Sequence, residues 1–196
     1  MSSRDDILAN LSSNSQDTVP HPDLDQLWST WSDPIVRFEE SVATVGGQSV
    51  RLENPEDLTE AIVALEYYKE ARRVASDSTH TSLECDPLDG VLDPHTLEDL
   101  DLFIADGRMG VAENGAVWLT DDTLTHRVAL FIPQHLILTV ESSQIVNNMH
   151  EAYRQIQIGT PEFGVFVSGP SKTADIEQSL VIGAHGPRSL TVFILN

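Results

Sequence analysis

The stretch that most constrains this chain is Ser168 to Arg188, reading SGPSKTADIEQSLVIGAHGPR: 21 residues with two Gly-Pro steps, one histidine and two carboxylates. An apolar run of strand length precedes it, Phe163–Val167, and another follows it, Leu190–Leu195. Two such runs bracketing a short helix would make a β-helix-β crossover, with the runs as adjacent buried strands. A polar, glycine-punctuated loop that leaves a buried strand and opens a helix is where α/β proteins usually hold ligands.

A helix opening near Ser171 to Thr173 would point free N–H groups and a positive dipole end into the loop before it. Gly169 would let that backbone approach a ligand, Pro170 would stiffen it, and Lys172 would add a charge. A small anion or carboxylate is the ligand that such a loop attracts. The competing reading is structural: Ser171 or Thr173 caps the helix, and Asp175 and Glu177 complement its dipole. No phosphate fingerprint of the G-x-x-x-x-G-K-[ST] kind decides between them. Helical spacing puts Lys172, Asp175 and Ser179 on one face and Glu177 on another, beside Leu180 and Val181. Asp175 and Glu177 then lie about 200° apart and cannot serve one reacting centre together. His185, set between small residues ahead of Gly186, suits either proton transfer or a turn-holding bond to a backbone carbonyl. The other six histidines lack ligand spacing, so no metal site is expected.

Charge narrows the function classes. With 31 acids against 11 bases the net charge is −20, and Lys69 and Lys172 are the only lysines. Such a surface repels a phosphate backbone and an anionic membrane, which argues against nucleic-acid binding. The acids gather between Glu84 and Asp106, which reads as a solvated face or as a docking surface for a basic partner. A single cysteine, Cys85, excludes an internal disulfide and any all-cysteine cluster within one chain. No apolar run approaches the roughly 20 residues of a membrane-spanning helix. Acids stand where a secretory signal would have its apolar core, so a cytoplasmic location is expected.

Periodicity predicts a short helix over Asp5–Leu11, then a Ser/Asp/Pro-rich segment to Asp33 that packs by Trp28 and Trp31. Residues 1–33 are thus expected to be a helical arm packed on a domain formed by residues 34–196. In that domain we expect a helix over Ile35–Thr44, a strand over Ser49–Leu52 and a helix from an Asn54 cap to about Lys69. A strand near Arg73–Ala75 and a helical turn over Leu97–Leu102 follow. Strand pieces Gly110–Glu113 and Ala116–Thr120 flank the Asn114-Gly115 turn, which reads as a hairpin. Strands over Arg127–Ile132 and Leu136–Glu141 and a helix over Ser142–Ile156 complete the pattern. Alternating strands and helices predict an α/β fold with a largely parallel sheet.

The pattern GPS-x-TADIE…G-x-HGP resembles the signature of the lactate-utilisation protein C family, the small LUD-domain proteins. Arg4–Ser12 is similar to that family's opening helix, and Pro34–Leu52 to its helix ending in Gly-Gly before a strand. The resemblance implies a mixed, mostly parallel sheet between helices, of the sugar-phosphate isomerase and coenzyme A transferase group (NagB/RpiA/CoA transferase-like). It also implies a part in oxidising L-lactate to pyruvate beside larger subunits that carry iron–sulfur clusters. This chain, with one cysteine and no Gly-rich dinucleotide turn, would then be an accessory component with no cofactor of its own. It would bind a small anionic metabolite through Ser168, Gly169, Pro170, Ser171, Lys172, Thr173, Glu177 and Gly186. The family usually has Glu-Thr-Gly-Thr where this chain has Glu113-Asn114-Gly115-Ala116. Glu-Asn-Gly also resembles the active-site turn of family I coenzyme A transferases, in which the glutamate forms an acyl anhydride. An independent transferase-like or folate cyclo-ligase-like enzyme using Glu113 is therefore the alternative. Glu113, His185 and Asp175 are the candidate catalytic residues, and Glu113 is expected in one cleft with the 168–187 loop.

Overall fold

The computed structural model describes residues 3–13, 19–24, 27–157, 159, 162–173, 181–183 and 185–196. Its strands fall into two larger sheets and one short pair. β1 (Gln48–Leu52), β2 (Val74–Ser76), β3 (Leu102–Asp106), β6 (His135–Glu141) and β11 (Ser189–Leu195) form one sheet in the order β1-β11-β6-β3-β2. Every pairing in it is parallel. β3, β6 and β11 hold its centre and are apolar almost without interruption, as strands covered on both faces must be.

Alternation assigns those side chains to two cores. Leu102, Ile104, Ile137, Phe193 and Leu195 face α3 (Leu58–Ala64) and α4 (Glu66–Glu70), packing against Leu58 and Ile62. Phe103, Ala105, Leu136, Leu138, Val140, Leu190, Val192 and Ile194 face the other way, toward Phe38 and Val42 of α2 (Pro34–Thr44) and toward a second sheet. That sheet contains β4 (Met109–Val111), β5 (Ala116–Thr120), β7 (Ile145–Val146) and β8 (Gly164–Val167), ordered β7-β4-β5-β8. β4 and β5 form an antiparallel hairpin whose turn is Glu113-Asn114-Gly115, as the Asn-Gly signal predicts. The fold is mixed α/β with a mostly parallel sheet, in agreement with the sequence.

Several local expectations change. β8 and β11 are not neighbours: β8 pairs antiparallel with β5, placing Phe166 opposite Trp118, while β11 lies between β1 and β6. Lys172–Thr173 is β9, paired antiparallel with β10 (Val181–Ile182), so no helix opens at Ser171–Thr173. Arg127–Leu130 is a 3-10 helix with Ala129 and Leu130 buried, not a strand. A short apolar run does not by itself distinguish the two. The helix expected over 142–156 is only α5 (Met149–Gln155). Before it, Ile145–Val146 extends into the second sheet, and Asn148 restarts the helix by accepting from the Glu151 N–H. The helical turn falls at Pro94–Leu97 rather than 97–102 because β3 already begins at Leu102. The helix after Asn54 breaks at Leu65, and Asn54 caps nothing with its side chain.

At the N-terminal side, α1 (Ser3–Ser13) forms where helical spacing predicts it, yet all its residues are exposed. The segment after it reaches the domain through its tryptophans. Trp28 stacks on His150 with ring centroids 3.4 Å apart, and the Trp31 backbone N–H donates to Asn147 Oδ1 at 2.8 Å.

Candidate functional site

The two Gly-Pro steps of the 168–188 motif meet. Ser171 N–H donates to the Pro187 carbonyl at 2.8 Å, and Gly183 N–H to the Ser171 carbonyl at 2.9 Å. A Cβ on Gly186 would stand 2.9 Å from Ser171 Cβ, so the arms touch. Gly169 has φ +74°, and a Cβ there would lie 2.5 Å from the Val45 carbonyl oxygen. Pro170 and Lys172 reach Gly46, while Arg188 N–H donates to the Gln134 carbonyl at 2.8 Å. Those neighbours begin β1, β6 and β11, so the clasp sits on the amino edge of the parallel sheet. Lys172, His185 and Arg188 are exposed on it. Asp175 and Glu177 lie outside the described residues.

The Glu113 turn touches this clasp by its backbone: Ser168 Oγ donates to the Asn114 carbonyl at 2.8 Å. The Glu113 carboxylate itself accepts the Met149 N–H at 3.0 Å and so ties the hairpin to the start of α5. Ser168 and the turn are thus brought together, with the Glu113 carboxylate committed to a backbone donor.

A second constellation lies on the opposite, carboxyl edge. Asp106 ends β3 and accepts from Ser78 Oγ, from Thr79 N–H at 2.7 Å and Oγ1 at 2.9 Å, and from Thr139 Oγ1 at 2.8 Å. His80 Nε2 stands 4.0 Å away. Thr79, His80, Asp106 and Thr139 border a cleft of about 1210 Å³ that also takes in Arg108, Trp118 and Phe166. Carboxyl ends of parallel strands are where open α/β sheets place ligands. In the sequence alone Asp106 belongs to the acidic 84–106 run, and Ser78, Thr79, His80 and Thr139 are not among the candidate residues. The signal was present: a polar run begins directly after β2, and Asp106-Gly107-Arg108 directly follows the apolar part of β3.

The LUD domain family model matches residues 92–195, from just before β3 to the end of β11, and so includes the clasp, Asp106 and the β4–β5 hairpin. The chain belongs to the LUD domain family. Lactate utilization protein C of Oceanobacillus iheyensis is 33% identical over 105 residues, which cover 50% of this chain and 45% of that protein. Lactate utilization protein C 1 of Bacillus mycoides is 41% identical over 93 residues, covering 44% and 40%. This LUD protein therefore spans less than half the length of these curated relatives. A protein of Neisseria meningitidis serogroup B is 25% identical over 171 residues, covering 86% of this chain and 70% of its own. The crystal structure of a DUF162 family protein from Deinococcus radiodurans superimposes with a TM-score of 0.66 at 20% identity, over 84% of this chain and 98% of its own. At that identity the likeness speaks for the fold alone.

Two further groups of the protein are set by their surroundings. Burial pushes the Cys85 thiol up and the Asp86 charge adds to it, so at neutral pH this sulfur is a thiol and not an activated nucleophile. His135, beside the clasp, stacks on Tyr67 with centroids 4.5 Å apart and places Nδ1 2.7 Å from Ser189 Oγ. Burial first, then the Arg188 charge, holds its pKa below the ordinary value, while Asp101 and Glu70 oppose the shift. The unfolded chain thus binds this proton more readily. The stabilisation is complete above about pH 6.5 and is lost as pH falls through the lower folded value. Melting temperature followed from pH 7.5 to pH 5 should fall more for the native protein than for His135→Gln. Parallel curves would show that His135 carries no such linkage.

Among the described residues, no helix is long and apolar enough to cross a membrane, and no group of three or more His, Cys, Asp or Glu could hold a metal ion.

Proposed function

We propose that this protein works in lactate utilisation in the cytoplasm, as an accessory component that holds a small carboxylate at the clasp while iron–sulfur partner subunits carry the electrons. The observation that carries the reading is the clasp itself. It is part of the matched LUD region, and it exposes Lys172, His185 and Arg188 together on a chain of net charge −20. A local positive potential on such a surface is what a lactate or pyruvate anion needs in order to approach. Relatives called lactate utilization protein C support the choice of anion. One cysteine is too few for an all-cysteine cluster within this chain, which supports assigning the redox step to partners. The attraction here comes from side chains, since Lys172–Thr173 is extended and supplies no helix N-terminus.

Calorimetry with lactate and with pyruvate tests this. Lys172→Ala and His185→Ala should each weaken binding about tenfold, or about 1.4 kcal/mol, with melting temperature nearly unchanged. If neither acid binds below about 10 mM, a range worth under roughly 3 kcal/mol, the clasp is a structural device and the reading fails. Co-purification with iron–sulfur proteins from native extract tests the partner half. The transferase-like alternative draws no support from Glu113, whose carboxylate accepts the first N–H of α5.

A further inference from the structure

The carboxyl-edge cleft differs in chemistry from the clasp, and its floor explains how it is built. β5 and β8 pair so that Trp118 and Thr120 share a face with Phe166 and Gly164. A Cβ on Gly164 would stand 2.2 Å from the Trp118 indole, so only glycine lets that ring lie across β8. Trp118 then meets Phe166 at 4.5 Å, and Tyr153 meets Phe166 at 5.9 Å, edge-on. α5 covers one end of this face through Ala152 and Met149. The other end stays open, with all three aromatic side chains on the cleft lining.

Above that floor the described lining holds five carboxylates, Asp77, Asp106, Asp122, Glu141 and Glu162, against one guanidinium, Arg108. That is 5 − 1, or four negative charges in excess. Arg108 adds little free positive potential, because it pairs with Asp122 and donates to Thr120 Oγ1 at 2.9 Å. Asp106 and Asp77 are held by neighbouring donors, Asp77 by the N–H and hydroxyl of Thr125 at 2.8 Å each. Glu141 and Glu162 are exposed at the rim. A concave site lined by one sign of charge focuses its field and concentrates ions of the opposite sign. An aromatic face beneath it attracts the same ions through the ring quadrupole. Anions, lactate and coenzyme A among them, meet repulsion from both.

We propose that this cleft binds a small organic cation, an ammonium or guanidinium carried on a compact apolar body, with the cation over Trp118 and the rim carboxylates Glu141 and Glu162 setting the charge preference. The inference is independent of the lactate reading: the clasp lies at the other edge of the sheet, and neither site needs the other.

Choline is a suitable probe, with its uncharged carbon analogue 3,3-dimethylbutan-1-ol as the control of equal shape. Binding is followed on the full chain by calorimetry and by tryptophan fluorescence. Choline should bind at least about tenfold more tightly than the analogue, and added salt should weaken it. Trp118→Leu should reduce choline affinity about tenfold. Because Trp118 also packs within the second sheet, Glu141→Gln/Glu162→Gln supplies an independent test on exposed positions. It should weaken choline about tenfold, flatten the salt dependence and leave the analogue and the melting temperature unaffected. Lactate binding at the clasp should persist in both variants. Equal affinity for choline and the analogue, an unchanged choline affinity in the double variant, or no choline binding below about 10 mM each overturns the assignment. A failure of lactate to bind the native protein would count only against the clasp.

Discussion

Gly115→Ala should be among the most destabilising single-atom additions this protein can receive, costing about 4 kcal/mol. Two effects combine. Gly115 has φ +66°, a conformation that costs a residue with a Cβ about 1–3 kcal/mol. The new methyl would also stand 2.6 Å from Val42 N and 2.8 Å from the Ser41 carbonyl carbon, both backbone atoms of α2. Overpacking of that kind adds about 1–3 kcal/mol, and backbone on both sides leaves no flexible side chain to yield. The turn cannot withdraw, because Gly115 N–H is bonded to Val111 and Ser41 Oγ to the Ala112 carbonyl, at 2.9 and 2.7 Å. Gly90→Ala is the internal control: φ is +82° there, but nothing lies within 4 Å of the added Cβ. Only the conformational cost applies, about 1 kcal/mol. Urea melts of the two variants separate the contributions. Equal midpoints would mean that the hairpin does not bear on α2 as described. Since small domains have only about 5–15 kcal/mol in total, the Gly115 variant should also lose the Ser168–Asn114 contact that anchors the clasp.

How far the fold could be read from the chain depended on the range of the interaction that decides each element. β6 and β11 were legible because buried parallel strands announce themselves as apolar runs. The β4–β5 hairpin was legible because Asn-Gly chemistry is local. The Arg127–Ile132 run is not the expected strand because Ala129 and Leu130 bury as part of one 3-10 turn, and so short a run carries no usable period. β8 was placed in the wrong sheet because its partner, β5, is chosen by a cross-strand contact between Trp118 and Phe166 that no local signal records. The candidate sites divide the same way. Two Gly-Pro steps in 21 residues mark a special backbone, and the clasp uses both. Its position at the amino edge follows from topology and was out of reach. Asp106 was hidden in a run of acids because its partners Ser78 and Thr139 stand 28 and 33 residues away in sequence.

Asp106→Ala should cost about 3 kcal/mol, and the reason lies more in what it leaves behind than in what it removes. The carboxylate is largely shielded, its side chain 17% exposed, and it gathers donors from the segment after β2 and from β6. Hydrogen bonds to a charged acceptor contribute about 1.5–3 kcal/mol, though neighbours in one network do not add. Thr139 is 1% exposed, so its hydroxyl would be left without an acceptor in the core. An orphaned buried donor costs about 1–3 kcal/mol. This separates two sources of the loss. Thr139→Val in the Asp106→Ala background removes the stranded hydroxyl, and the double variant should be more stable than the sum of the singles predicts by about 1 kcal/mol. Strict additivity would show that the two side chains are not coupled and that Asp106 acts only on the loop. The loop has its own readout. Thr79 N–H is held by the carboxylate alone in this network, so its hydrogen exchange should accelerate in both Asp106 variants and stay slow in Thr139→Val. The wall of the cleft that carries His80 would then be ordered by a strand-end carboxylate.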